Sequence, residues 1–345
     1  MNGVVCHRPE APGGVHWPDL GAYGINQGMN ASLPRPASIS PLKKWLIAAR
    51  PWALPASTMP VVFGTALAVI IGGAGFSPLR FFWAIVTMMV LHSAANMLSD
   101  VHDYRRGLDR DVTPVSGAIV RGLLTDRQVL RGAVVLFMLG IASGLLIARA
   151  DGKSLFVVGG LGVAVGISYT LLKARALGDL AVFLNFGLLG AAGAWVVQTK
   201  SFSWLPVLWT MPMALLVIAI LHANNWRDIP SDGERRVTTV AGLLGDRGSL
   251  AYYGCLLFVP FLLDLAFIAV PRLSGGPLRP MPLTFLIVLL ALPNAFRLWG
   301  RAVRRAAPRQ PMDFIILDGA TANHNLVFGL LSTAAVILEG IVNWG

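Results

Sequence analysis

Nine runs of about twenty mostly apolar residues divide this chain, near 52–74, 79–99, 128–148, 154–172, 178–199, 204–226, 249–270, 281–300 and 323–343. Each is long enough to cross a hydrocarbon core of roughly 30 Å as a helix. Hydrophobic residues make up 55% of the 345 and charged residues only 13%, a balance that excludes a soluble domain of this length. The pattern predicts an all-α, polytopic membrane protein: nine transmembrane helices in a bundle.

Loop charge tests that count. Cytoplasmic loops concentrate Lys and Arg, and an error of one helix would scramble the alternation. With the N-terminus inside, the inner segments hold most of the 28 basic residues, including Lys43, Lys44 and Arg50, then Arg105, Arg106, Arg110, Arg121, Arg127 and Arg131, and later Arg227, Arg235, Arg236 and Arg247. The outer side keeps only Arg80, Arg149, Lys153, Lys200, Arg272 and Arg279. The chain therefore reads as N-in and C-out, in a cytoplasmic membrane of bacterial type. The net charge of +11 is spread over alternate membrane edges rather than one soluble face, which points to an anionic leaflet or substrate and away from nucleic acid.

Residues 1–40 are rich in Pro, Gly and Asn and lack the apolar core of a signal peptide. They are expected to be a disordered tail before a membrane domain over 41–345, and Met29 is an alternative start. Cys6 and Cys255 have neither a disulfide framework nor metal-ligand company around them.

Charge concentrates where two of the runs end. The second closes in Asn96, Asp100 and Asp103, spaced by four and three residues, so that on a helix the three share one face. The sixth closes in Asn225, Asp228 and Asp232, with Asn224 as a second way to begin the stripe. Two pseudo-repeated halves thus each carry an Asn-Asp-Asp stripe to the same membrane edge. Carboxylates three to four residues apart repel one another unless a cation lies between them, and oxygen-only donors suit Mg²⁺, which prefers to be shared with substrate phosphates. Two such clusters face to face would hold a diphosphate, with Arg105, Arg106, Arg110, Arg235 and Arg236 neutralising phosphate or anionic lipid. A single charged run after a membrane helix is usually a solvated loop; the duplication, Asn included, argues for a site.

These residues resemble the UbiA superfamily of intramembrane prenyltransferases, nine-helix proteins with an N-x-x-x-D-x-x-D motif after the second helix and D-x-x-x-D after the sixth. The resemblance covers about residues 45–345. Within the superfamily, "ARPWALPASTMPVVFGTALA" at 49, "SDVHDYRRGLD" at 99, "ALGDLAVFLNFGLLGAAGAWVVQT" at 176, "NNWRDIPSD" at 224 and "TANHNLVFGLL" at 321 are similar to the branch that prenylates 1,4-dihydroxy-2-naphthoate for menaquinone. Departures are Arg236 and Val237 where that branch has Gly-Lys, Asp179 where Glu is common, Asn185 within a Phe-rich stretch, and "TPVSGAI" at 113, which is shared with branches that use other acceptors.

The resemblance implies a prenyl diphosphate and an aromatic acceptor as partners, with Mg²⁺ held by Asn96, Asp100 and Asp103 on one side and by Asp228 and Asp232 on the other, Asn225 accompanying them. Lys173, Arg121 or Arg235 would add positive charge to the departing diphosphate. Tyr169, one turn before Lys173, would offer a π-face to an allylic cation, against the alternative of an interfacial tyrosine. Asp179 would bind or deprotonate the acceptor, or cap its helix. His92 lies on the Asn96 stripe and either reaches the cavity or is a hydrogen-bonded core histidine. Asp264, Glu339 and His324 carry no assigned role, and Asp109 and Asp111 complete a charged loop that hinges at Gly107.

Three other readings compete. A transporter would place its acids near the midplane, whereas these lie at one edge. A prenyl-diphosphate cyclase on the same scaffold would use the metal site without an acceptor. A nonenzymatic scaffold would not need duplicated stripes. Prenyl chain length and oligomeric state are left open.

Overall fold

The first expected span is broken by its own prolines. The computed structural model describes residues 39–107, 117–234, 237–275, 278–305 and 311–344. Helix α1 (Pro41–Ala49) ends at Arg50, which takes a left-handed conformation (φ 52°, ψ 59°) before a single 3₁₀ turn, Pro51–Ala53. Helix α2 (Pro55–Ala66) then starts with proline at its first turn and runs into a π-helical segment, Leu67–Ile71. Proline lacks the N–H that would continue a helix but is tolerated at the first position of a new one. The two parts, Pro41–Ala53 and Pro55–Ile71, are consequently bent by 57°.

The remaining helices are α3 (Pro78–Arg105), α4 (Asp126–Asp151), α5 (Lys153–Lys173), α6 (Gly178–Val182), α7 (Gly190–Thr199), α8 (Leu205–Arg227), α9 (Ile229–Glu234), α10 (Val240–Ser274), α11 (Leu292–Val303) and α12 (Pro311–Trp344). A π segment, Phe183–Leu189, joins α6 to α7, and a 3₁₀ segment, Leu283–Ala291, leads into α11, so each pair makes one span. Among the described residues there are eight helices long and apolar enough to cross a membrane, and nine spans if the bent pair is one. No strand occurs among them; a single β-bridge joins Arg175 to Thr238. From Ser40 onward the described residues form one compact unit. The expected tail, Arg110, the loop acids Asp109 and Asp111, and Arg235 and Arg236 lie outside the described residues.

Several ends differ from the apolar runs. Helix α3 has 28 residues, about 42 Å, so its charged last turns stay helical beyond the hydrocarbon core. Helix α10 begins at Val240, with Gly245 (φ 64°) interrupting it before the main span. Helix α12 begins at Pro311, twelve residues ahead of the apolar run expected at 323, which brings Asp318 into the bundle.

Helix α8 is the most enclosed of the spanning helices; its own Trp226 is buried, and so are Tyr253, Phe63, Phe285, Phe314 and Phe328 of other segments. Conversely, Met138, Leu139 and Leu146 of α4 and Val157, Leu161 and Leu171 of α5 point outward, an apolar exterior that water would not tolerate and lipid requires. Between helices in lipid, close packing rather than hydrophobic expulsion holds neighbours together. At Gly64 of α2 a Cβ would stand 2.8 Å from the Ala191 Cα on α7. The two backbones pack directly, and α7 is thereby fixed against α2.

Candidate active site

Both acidic motifs converge on Lys173. Its ammonium, at the last turn of α5, is 3.3 Å from the Asp103 Oδ2 on α3, and it interacts electrostatically with Asp232, Asp228 and the Tyr169 phenol. Tyr169 in turn feels Asp103, Asp179 and Arg50. Residues from the first and second halves of the chain therefore share one site at one end of the bundle.

On the α3 side, Asn96, Asp100 and Asp103 lie on one helical face as their spacing requires. Asp100 is buried and bonded to the Arg50 guanidinium, which the left-handed turn before Pro51 swings toward it. The turn at 117–122 presses on the same carboxylate: Gly117 is packed so closely that any side chain there would strike Asp100. Arg121 is half-buried in that turn. The Asn96 Nδ2 is buried without a hydrogen-bond partner. Arg105 is turned away from the site and bonds Asp126 at the start of α4, 3.0 Å away.

The second motif does not form one continuous helical stripe as its spacing suggests. Helix α8 stops at Arg227; Asp228 is its C-cap, and Asp232 lies one turn on, in α9. The Asp232 N–H donates to the Asp228 carbonyl at 2.8 Å, which keeps the two acids on adjacent turns despite the break. Arg227 grips Asp228 with two bonds of 2.7 and 2.8 Å. Asn225 is buried, and it is the alternative start of the stripe, Asn224, that reaches a carboxylate, donating to Asp318 of α12 at 3.1 Å.

Beyond the motifs, the segment after α9 is tied to the segment after α5. The Ala176 N–H donates to the Thr238 carbonyl at 2.7 Å and the Thr238 N–H to the Ala174 carbonyl at 3.3 Å. Ala176 is held left-handed (φ 58°), which a non-glycine residue adopts only when its surroundings enforce it. This bridge positions Gly178 against Lys173 and Leu221 and starts α6 beside the site. Asp179 is buried there. Its Oδ2 accepts a bond from the Tyr252 hydroxyl of α10 at 3.2 Å, Oδ1 has no partner, and the helix shows no side-chain cap. In this geometry Asp179 is an acid in the first turn of α6 without a capping bond.

A cavity of about 300 Å³ opens among α3, α4, α5 and the α6–α7 span. Its lining is almost entirely apolar and rich in glycine: Gly140 and Gly144 of α4, Gly159, Gly162 and Gly166 of α5, and Gly190 of α7. Two lining residues relate it to the acids. His92 is one turn before Asn96 on α3, and Gly166 is one turn before Tyr169 on α5, so the cavity and the Asp103–Lys173 pair are built on the same two helices. His92 satisfies both of its expected roles. It is buried, bonded to the Ser57 hydroxyl at 2.7 Å and stacked on Phe186 at 4.2 Å, and it lines the cavity.

The unassigned polar residues lie elsewhere. Asp264 is buried with Oδ2 unpartnered, His324 contacts Asn294 at 3.3 Å and the Phe261 ring, and Glu339 bonds Thr284 and Asn343. Arg50, Arg227, Asp318 and Tyr252 are the site residues to which motif reasoning assigned no role. A search for the cations that must face buried acids would have found the two arginines. Asp318, a lone acid in "FIILDGA", had its signal in that isolation.

Comparison with known proteins decides the family. The model of the UbiA prenyltransferase family matches residues 57–317. The chain belongs to the UbiA prenyltransferase family. It is an integral-membrane enzyme of the prenyltransferase class. UbiA prenyltransferase domain-containing protein 1 homolog from Drosophila melanogaster is 32% identical over 304 residues, covering 85% of this chain and 79% of that protein. UbiA prenyltransferase domain-containing protein 1 from Homo sapiens is 31% identical over 303 residues, covering 85% and 83%. A UbiA homolog from Aeropyrum pernix K1, solved without ligand, superposes with a TM-score of 0.60 at 17% identity, covering 83% of this chain and 97% of that one. A UbiA homolog from Archaeoglobus fulgidus, solved bound to GPP and Mg²⁺, gives 0.58 at 15% identity, covering 84% and 99%. At such identities the two archaeal structures speak for the shared UbiA fold.

Proposed function

We propose that this chain transfers an isoprenyl group from a prenyl diphosphate to an aromatic acceptor with Mg²⁺, 1,4-dihydroxy-2-naphthoate being the first acceptor to test. One observation supports the reading: oxygen donors from both halves interact with the Lys173 ammonium at the ends of α3 and α5, the same two helices that wall an apolar, glycine-lined cavity. A diphosphate needs the first and an isoprenoid tail the second. The domain carrying this activity spans 41–345, with its acid-rich edge and N-terminus on the cytoplasmic side, which the distribution of Lys and Arg supports. The animal origin of the curated relatives makes this an assignment of leaflet rather than of a bacterial inner membrane.

The donor set suits Mg²⁺. Among the described residues no three His, Cys, Asp or Glu side chains converge as an all-protein cage, and Mg²⁺ is usually held by one or two carboxylates together with substrate phosphates. Asp100 and Asp103, with the Asn96 amide, would hold it on the α3 side and Asp228 and Asp232 on the other. Bound there, it supplies Lewis-acid withdrawal of charge from the leaving diphosphate. Arg50, Lys173 and Arg227, now paired with the acids, are within reach to turn onto phosphate oxygens. Arg121 and Arg235 complete the proposed cations and Asn225 the second motif. Tyr169, one turn from Lys173 on α5, would offer its ring to the allylic cation that remains when the C–O bond breaks. Asp179 faces the acceptor.

The test is diphosphate release from geranylgeranyl or longer prenyl diphosphates by purified protein in nanodiscs, with and without Mg²⁺ and the naphthoate, for wild type, Asp100→Ala and Asp228→Ala. Release that needs metal, acceptor and both aspartates is expected. Release without acceptor would replace the reading with a cyclase, and no release or binding under any condition would overturn it.

A further inference from the structure

We propose that Tyr252 is a positioning residue for acceptor activation: its hydroxyl holds Asp179 so that the unpartnered carboxylate oxygen faces the acceptor and takes its phenolic proton. The proposal rests on the prenyl-transfer reading and assigns a part of the site that the two aspartate motifs do not contain.

Four observations converge. The Tyr252 hydroxyl donates to the Asp179 Oδ2 at 3.2 Å across two elements 73 residues apart. Asp179 is 6% exposed, and its other oxygen is buried with no hydrogen-bond partner, an arrangement that a buried carboxylate sustains only where something else satisfies it. Asp179 follows the Ala174–Ala176 segment that leaves Lys173, and it interacts electrostatically with Tyr169, which also feels Lys173 and Asp103, so the carboxylate lies near the acid–lysine cluster. Finally, Tyr252 is itself fixed. Its ring meets His222 of α8 edge to face, with centroids 4.8 Å apart and planes at 86°, and His222 is anchored at 3.2 Å to the Ser249 carbonyl. A hydroxyl on a ring held this way points one way, and it immobilises one carboxylate oxygen while leaving the other to work.

The chemistry balances. The phenolic O–H proton moves to the Asp179 Oδ1, leaving an aryl oxide. The C–O bond of the allylic diphosphate breaks, its electron pair leaving on the diphosphate. The ring carbon ortho to the oxide uses a π pair to form the new C–C bond, giving a dienone. That carbon then loses its hydrogen as a proton to the diphosphate, restoring the aromatic ring, and Asp179 returns its proton to the ring oxygen. The products are prenylated phenol and protonated diphosphate, with Asp179 ionised as at the start.

Tyr252→Phe keeps the ring on His222 and removes only the hydroxyl. With an acceptor that is un-ionised at the assay pH, the variant is expected to lower kcat roughly ten- to hundredfold, the loss of one hydrogen bond to a charged group. The KM for prenyl diphosphate should be unchanged. Asp179→Asn is expected to lose at least as much. An acceptor analogue made acidic enough by electron-withdrawing substituents to enter already ionised should bring both variants back to near the wild-type rate, which a purely structural role would not allow. A ring-fluorinated tyrosine at 252, isosteric with the natural residue, keeps the question open to measurement should the Phe variant fail to fold: it should change the rate with the weak acceptor and not with the ionised one. Equal losses with both acceptors, or no loss with the weak one, would overturn the role of Tyr252 while leaving prenyl transfer intact. Wild type inert toward every phenol would overturn both.

Discussion

Replacing Lys173 by Met removes one charge and little volume, and it separates two roles that the lysine combines. In the structure its ammonium sits 3.3 Å from Asp103, with the two side chains 23% and 14% exposed. At an effective dielectric of about 20, charges at that distance attract by about 5 kcal/mol. Desolvation of both groups offsets most of this, leaving a coupling of about 1–3 kcal/mol between the partners. If Lys173 only balanced Asp103, a Lys173→Met, Asp103→Asn double variant would recover that coupling in thermal stability, and turnover of the single Lys173→Met variant would barely change. If its charge also acts on the departing diphosphate, Lys173→Met should lower the rate of diphosphate release about 10²- to 10³-fold, the usual loss when a preorganised donor to developing negative charge is removed. Single-turnover release from prenyl diphosphate at saturating Mg²⁺ measures this directly. Turnover within threefold of wild type would refute the reasoning, because a cation facing acids of both motifs would then be structural.

Three further outcomes follow from the geometry. Gly117→Ala places a methyl group against the Asp100 carboxylate and should displace it from Arg50; Mg²⁺-dependent release should fall at least about tenfold, and an unchanged metal titration would count against the packing described. Gly64→Ala drives a Cβ into the Ala191 backbone and should destabilise the bundle by about 1–3 kcal/mol, read as a lower thermal midpoint in detergent, whereas Gly144→Ala, with open space around it, should not. Gly159→Phe should fill part of the cavity and raise the KM for geranylgeranyl diphosphate more than that for geranyl diphosphate in a competition assay; equal effects would place the tail elsewhere.

Much of the fold was legible because lipid enforces it: a run of some twenty apolar residues has few alternatives to a spanning helix. What the runs hid were breaks. "ARPWALPAS" reads as the head of one span, yet Pro51 and Pro55 turn it into a bend that delivers Arg50 to Asp100. The α3 stripe kept its predicted face because α3 continues to Arg105, whereas α8 ends at Arg227 and the second motif straddles a cap. Periodicity reports neighbours along one helix and nothing between helices. The Asn224–Asp318 and Asp179–Tyr252 bonds join partners 94 and 73 residues apart, and neither has a local signature. His92 shows the limit in another way, since cavity wall and hydrogen-bonded core turned out to be one position.

The short pairing of Ala174–Ala176 with Thr238 also has a meaning for the time at which this protein becomes itself. A chain entering the membrane helix by helix from its N-terminus has Asp100, Asp103 and Lys173 in place early, but the backbone partner that sets the start of α6 arrives only after α8 and α9 have emerged. Asp318, the mate of Asn224, arrives on the final helix. A nascent or truncated chain can therefore wall the apolar cavity with residues 61–197 while its acid-rich edge still lacks the second motif, the backbone partner of Ala176 and Asp318.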